Sequence, residues 1–259
     1  MQFKMNISLI QYSPIWEDVE ENIKKLSNMI DSVHEDTDLV ILPEMFNTGF
    51  SLSPERLAEP MHGTTVNWMR ETAINNKIAI MGSLMVYDKK KFYDRLMFIF
   101  PDGSFKHYDK RHLYRYANEE ELLTPGKQRL IVNYNGWRIC PLICSDISYP
   151  VWSANRNDYD LLVYVANWPE SMQKSWDVLP VARAIENQCY VAAVNRIGDD
   201  EAEFYKGESK IIDFDGEIMA QSKQIREEII STTLDYEKLA EYRHRYDLVT
   251  DADQFGIFF

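Results

Sequence analysis

Short apolar runs, alternating with helix-period segments and with Asx-Gly turns, limit what this chain can fold into more than any other feature. The run "NISLIQYS" is bounded by Pro14 and reads as a buried strand. In "WEDVEENIKKLSNMIDSVHE" the residues Val19, Ile23, Leu26, Met29, Ile30 and Val33 recur at helical spacing with charges between them, which predicts a helix with one core-facing stripe. "DLVILPEMF" is again a strand, stopped at Pro43. "TTVNWMRETAINNKIAIMGSLMVYD" repeats the grammar loosely, as an amphipathic helix leading into an apolar run.

The middle of the chain is richer in hairpins. "FYDRLMFIFPDGSFKHYDK" pivots on Asp102-Gly103 and "RLIVNYNGWRICPLIC" on Asn135-Gly136, both two-residue turn signals. Alternation resumes with "YDLLVYVANWP" as a strand, "SWDVLPVARAIENQ" as a helix and "CYVAAVNRIG" as a strand. "ESKIIDFDGEIMAQS" predicts a hairpin at Asp215-Gly216, "REEIISTTLD" a strand, and the closing "EKLAEYRHRYDLVTDADQF" a helix that gives way to a tail. Parallel and hairpin strands with helices between them point to a layered α/β fold in which sheets pack face to face under helices. No low-complexity linker interrupts the chain, so residues 1–259 are expected to form a single domain, with two halves of similar grammar suggesting a pseudo-symmetric sandwich.

Composition narrows the partners. A formal charge of −13 with pI near 4.9 repels phosphate backbones and anionic membrane surfaces, so neither nucleic acid nor a membrane is expected as a partner. The opening "MQFKMNISLIQYSP" lacks a signal-peptide core and no apolar run reaches membrane-spanning length, which gives a cytoplasmic expectation. The cysteines Cys140, Cys144 and Cys189 are odd in number, as suits a reducing compartment. Cys140 and Cys144 have no second pair, and His34, His62, His107, His112 and His244 are scattered, so no metal site is expected.

Reactive groups in α/β folds tend to sit just past strand C-termini. Glu44 follows "LVILP", Lys110 follows "SFKHYD" and Cys144 follows "ICPLI". Singly, each has a bland reading as a solvated carboxylate, a surface ammonium or a small core hydrophobe. Together they describe a reaction. A thiol with a pKa near 8.5 needs a base, and Glu44 can supply it. Attack on an amide builds charge on oxygen, which Lys110 and the amide of Ser145 can stabilise. The competing arrangement is a Cys–His pair drawing on His107 or His112.

"LPEMFNTGFS", "YDKRHLYR" and "PLICSDISYPVW" resemble, in order and spacing, the three signature segments of the nitrilase superfamily of carbon–nitrogen hydrolases. The resemblance runs from "ISLIQYSPIWED" to "DADQF" and implies a four-layer α-β-β-α sandwich with mixed sheets. It also implies a Glu–Lys–Cys triad, here Glu44, Lys110 and Cys144, with no metal or organic cofactor. A second glutamate is implied in the loop "RYANEEELLTPG"; counting back from Pro125-Gly126 favours Glu119, with Glu120 and Glu121 as competitors. Asn167 and Trp168, after "DLLVYVA", are implied at the pocket wall, and a homodimer across a helical face is the family habit.

Within the superfamily the chain looks most like the omega-amidase branch, which hydrolyses the terminal amide of 2-oxo acids such as 2-oxoglutaramate. It departs from that branch at Ser145, where an aromatic is usual, at Ser148, where an arginine is usual, and at Tyr149, where phenylalanine is common. The expected partner is therefore a small-molecule amide, attacked by Cys144 to give a thioester and ammonia. A nitrile, an N-carbamoyl compound or another small amide is the alternative substrate, and a catalytically silent interaction protein the alternative class. Arg111, Arg115 and Arg183 are the candidates for a substrate carboxylate, and the sequence does not choose among them.

Overall fold

The computed structural model describes residues 3–253, 255 and 256. The first half runs β1 (Lys4–Gln11), α1 (Val19–Ile30), β2 (Leu39–Ile41), the single turn α2 (Pro54–Leu57), α3 (Thr64–Asn76), β3 (Ala79–Asp88), β4 (Lys91–Ile99) and β5 (Phe105–Asp109). The second half begins with the single turn α4 (Glu119–Leu122), then β6 (Val132–Tyr134), β7 (Trp137–Ile143), the short α5 (Pro150–Ser153), β8 (Leu161–Ala166), α6 (Gln173–Asn187) and β9 (Tyr190–Asn195). It closes with β10 (Ile197–Asp199), β11 (Phe204–Lys206), β12 (Lys210–Ile212), β13 (Ile218–Gln221), β14 (Glu228–Asp235) and α7 (Tyr236–Tyr246).

Two six-stranded sheets result, ordered β14-β1-β2-β3-β4-β5 and β13-β12-β9-β8-β7-β6, with β10 and β11 as a separate ribbon. Both have the same internal plan. β1, β2 and β3 are parallel, as are β7, β8 and β9. Each parallel core is flanked by antiparallel strands, β14, β4 and β5 in one sheet and β6, β12 and β13 in the other. The pseudo-symmetry expected from the sequence is thus a correspondence of strand pairings, and the mixed-sheet α-β-β-α architecture is as anticipated.

Period-two alternation decides which face each residue takes. Met5, Ile7, Leu9, Leu39, Ile41, Ala79, Met81, Leu96 and Phe98 point between the sheets and join Val132, Ile139 and Leu142 in one core. Their neighbours Ile10, Val40, Ile80, Met97 and Ile99 face the other way, onto Leu26 and Ile30 of α1 and Val66, Met69 and Ala73 of α3. The Asp18 side chain caps α1 by accepting from the Glu21 N–H at 3.1 Å.

Local corrections follow from chain geometry. On α1 the buried side includes Asn22, whose amide bonds the backbone of Ile15 at 2.7 Å and the Asn47 carbonyl at 2.9 Å, while Val19 and Ile23 stay half-exposed. A hydrophobicity pattern cannot register a polar side chain buried to satisfy a loop. The turn at Asp102-Gly103 is wider than two residues, because Ile99 pairs with Phe105. The tightest hairpin in this region joins β3 to β4 at Lys89 and Lys90, with φ of 48° and 65° and Asp88 opposite Lys91. Left-handed lysines carry no Asx-Gly signal, so this turn was not foreseen.

Candidate active site

Glu44, Lys110 and Cys144 lie beyond β2, β5 and β7, and the fold draws the three strand ends together. Each is fixed locally. Beyond Glu44, the Met45 N–H donates to Ser83 Oγ at 3.0 Å. Beside Lys110, Asp109 receives two bonds from Arg95, at 2.6 and 3.0 Å, and the Lys110 N–H reaches the Asp94 carbonyl at 2.9 Å. Gly126 packs against this strand end so closely that a Cβ there would lie 2.0 Å from the Asp109 carbonyl oxygen, which explains the glycine and pins the loop carrying Glu119.

Lys110 Nζ donates to Glu44 Oε1 at 2.7 Å and to Glu119 at 2.9 and 3.0 Å, with all three side chains out of contact with solvent. An ammonium has three donors, so these contacts occupy it fully. Glu119 also accepts from the Tyr114 N–H at 2.6 Å, and Glu44 Oε2 from the Asn167 N–H at 2.7 Å. Among the three adjacent acids, Glu119 is buried while Glu120 and Glu121 are exposed.

Cys144 has φ of 43° and begins a tight 3₁₀ turn over Cys144–Ser148. Its Sγ lies 3.7 Å from the Asn167 carbonyl. Asp146, two residues on, holds the turn: it accepts from Ile143 N–H at 3.1 Å, Tyr108 Oη at 2.7 Å, and His112 N–H and Nδ1 at 3.0 and 2.8 Å. Arg183, from α6, donates to the Ile147 carbonyl at 3.1 and 2.8 Å and buttresses the same turn. His112 is committed to Asp146 and stacks on Tyr149 at 3.6 Å, while His107 is exposed on β5, so neither is arranged as a thiol partner.

Burial dominates the electrostatics. It pushes the Cys144 thiol well above its ordinary range; Glu44 adds to the rise and Lys110 opposes it. Burial works against the Lys110 ammonium, but Glu119, Glu44 and the other acids outweigh it and hold Lys110 well above its usual value. Glu119 is raised by burial, with Lys110 opposing and Glu44 adding.

Cys144 opens onto a cavity of about 620 Å³, also lined by Phe50, Tyr114, Ser145, Ser148, Asn167 and Trp168. The side chains of the predicted wall residues are partly engaged elsewhere. Asn167 Nδ2 donates to the Glu44 carbonyl at 2.9 Å, Trp168 Nε1 to the Met172 carbonyl at 2.9 Å, and Ser145 Oγ to the His112 carbonyl. Among the described lining residues Arg115 is the one lysine or arginine; Arg111 reaches the Gly126 carbonyl at 3.2 Å and Arg183 is turned to Ile147. Asp200, Glu201 and Glu203, from the ribbon of β10 and β11, also line the cavity. Asp200 and Glu201 do follow the strand run "CYVAAVNRIG", so the strand-end rule reaches that turn, whereas it does not point to Asp94 in mid-strand.

Carboxylate oxygens of Glu44, Asp94 and Glu119 lie within 4.8 Å of one another, the spacing of a cation site. The cation among them is the Lys110 ammonium, 2.7 to 3.8 Å from all three, so the cluster does not fit a metal ion as well.

Such a constellation on such a sandwich is that of a hydrolase acting on carbon–nitrogen bonds. The chain belongs to the carbon–nitrogen hydrolase family, which it matches over residues 6–244. It is 39% identical to the omega-amidase YafV of Yersinia enterocolitica, over 97% of this chain and 98% of that protein. It is 30% identical to the 2-oxoglutaramate amidase of Bacillus subtilis, over 96% and 97%. The crystal structure of XC1258 from Xanthomonas campestris, a superfamily protein with an arsenic adduct in its active site, superposes with a TM-score of 0.95 at 39% identity, covering 98% of this chain and 99% of that one. Gln254, within the closing "DADQF" motif, lies outside the described residues.

Proposed function

We propose that the protein hydrolyses the terminal amide of a small 2-oxo acid resembling 2-oxoglutaramate, releasing ammonia. The observation that carries the reading is the buried hydrogen bond from Lys110 to Glu44, set beside the Cys144 thiol at a small cavity. The two named amidases, similar along nearly their whole length, support the substrate class.

In this reading Glu44 takes the Cys144 proton as the sulfur attacks the amide carbon. The oxyanion is steadied by the Ser145 N–H and by the charge of Lys110, whose own protons are occupied by carboxylates. Glu44 then passes that proton to the departing nitrogen, while Glu119, accepting from Lys110 and from the Tyr114 N–H, holds the ammonium in place beside it. Ammonia leaves, water attacks the thioester with Glu44 again as base, and the thiol is restored. The route consumes only water. Asn167 and Trp168 shape the wall, and Arg115 meets the substrate carboxylate.

The same reading takes residues 1–259 as one domain of a cytoplasmic enzyme. It also takes the enzyme as a homodimer, and exposed Val151 on α5 and Val178 and Ile185 on α6 support a helical interface. A second substrate reading, another small amide, draws on Glu201 and Glu203, which favour a neutral or cationic group at the cavity.

The test is ammonia release from 2-oxoglutaramate, a nitrile and an N-carbamoyl amino acid, with wild type and Cys144→Ala. Turnover of the oxo-amide alone, abolished in the variant, is the expected result. Equal turnover of another substrate defeats the substrate assignment, and full activity in Cys144→Ala defeats the mechanism.

A further inference from the structure

Asp94 belongs to none of the roles above, yet it is fully buried in β4 with its Oδ2 3.8 Å from Lys110 Nζ. The charged groups facing it are Glu44 from beyond β2, Lys110 from beyond β5 and Glu119 from α4, and Ser83 is its polar neighbour on β3. The three carboxylates share one ammonium but are not equivalent. Both oxygens of Glu44 and both of Glu119 accept N–H bonds, whereas among the described residues no N–H reaches either oxygen of Asp94, beside which stands only the Ser83 hydroxyl. An ionised carboxylate served by one hydroxyl at most, out of water and beside two other anions, is the costliest state available to this cluster.

We propose that Asp94 is a positioning residue that carries its proton at neutral pH, so that the buried cluster holds two anions and one cation and not three anions. A neutral Asp94 leaves the ammonium on Glu44 and Glu119. An ionised Asp94 draws Nζ across the 3.8 Å gap, loosens its bond to Glu44, and adds negative charge that opposes thiolate formation at Cys144. Turnover therefore falls when alkaline pH strips this proton. Burial, reinforced by Glu44 and opposed by Lys110, holds the Asp94 acid well above the carboxylate range, in keeping with the geometry.

The inference deepens the amidase reading and rests on it only for the effect on turnover. The first measurement is infrared difference spectroscopy of the substrate-free protein at neutral pH. The expected result is a protonated-carboxyl C=O stretch present in wild type, lost in Asp94→Asn and kept in Glu119→Gln. No such band, or a band lost only in Glu119→Gln, overturns the proposal. Because this spectrum needs no substrate, its outcome is independent of whether 2-oxoglutaramate is the substrate.

Thermal denaturation adds a second reading. A carboxyl raised on folding stabilises below its unfolded pKa of about 3.9 and loses that contribution as pH rises toward the folded value. Asp94→Asn should thus gain in Tm over wild type by an amount that grows above about pH 4; a constant gap overturns the proposal. In turnover, Asp94→Asn should carry kcat to more alkaline pH than wild type, with superimposable pH profiles counting against it.

Discussion

Glu44 Oε2 accepts the backbone N–H of Asn167 at 2.7 Å, a contact between residues 123 positions apart. Glu44 follows β2 of one sheet and Asn167 follows β8 of the other, so this bond fastens the two sheets at the site. The Asn167 amide returns to the Glu44 carbonyl at 2.9 Å, which fixes the carboxylate from both ends.

Glu44→Gln keeps the shape and can still accept from Asn167, but it cannot take a proton. We expect kcat to fall about 10²-fold or more, and Tm to drop as well, because the new amide NH2 must face one of the two donors that Glu44 accepts from. Steady-state kinetics beside thermal melting checks this, and near-wild-type turnover refutes the base role.

Among the described residues, Lys110 is the one cation that Glu44, Asp94 and Glu119 share. Removing it in Lys110→Met leaves buried acids uncompensated and should cost about 3–5 kcal/mol. Lys110→Arg should not restore activity, because a planar fork does not reproduce a point charge among three carboxylates. Denaturant melts and kcat for both variants test the pair of claims.

Free Cys144 should be a sluggish nucleophile toward iodoacetamide at neutral pH, since burial and Glu44 keep its proton on. The sign is that of a raised thiol: the reactive thiolate fraction grows only as pH climbs past the ordinary cysteine range. Alkylation rates followed by mass spectrometry against pH should rise later than for a free thiol. A fast, pH-independent rate at neutrality contradicts the protonated resting state.

Arg115→Ala should raise KM for an amide bearing a carboxylate and leave KM for an uncharged amide nearly unchanged. Loss of one charge-assisted contact corresponds to about 1.5–3 kcal/mol, roughly 10- to 100-fold. Equal effects on both substrates place the substrate carboxylate elsewhere.

The β3–β4 hairpin stores avoidable cost at Lys89 and Lys90, both left-handed at φ of 48° and 65°. Replacing them by Asn and Gly suits the turn and should stabilise by about 1 kcal/mol. Calorimetry should show a rise in Tm with no change in kinetics.

Several of these features were legible in the sequence because they are local. Apolar runs stopping at Pro43 and Cys144, helical periodicity in α1 and α6, and Asn135-Gly136 depend on neighbours a few residues away, and the signature segments fixed the family fold. Glu119 was distinguishable from Glu120 and Glu121 by its distance from Pro125-Gly126, and the structure buries that residue alone of the three. Asp94 gave no such signal: in "KFYDRLMF" it is one polar residue on the strand face of Leu96 and Phe98, and it meets Lys110 only when β4 and β5 pair. Arg183 and Arg115 are equally plausible anion ligands in one dimension, and α6 turns the first onto the Ile147 carbonyl. Asn22 sits among helical apolar positions and is buried by a loop it must satisfy. Sequence pattern determined the elements and the reactive residue types, since both follow from short-range periodicity and side-chain chemistry. Tertiary structure alone decided which charges share a buried volume and which cation remains for a ligand, because electrostatic energy in a dry site depends on distances between residues that the chain keeps far apart.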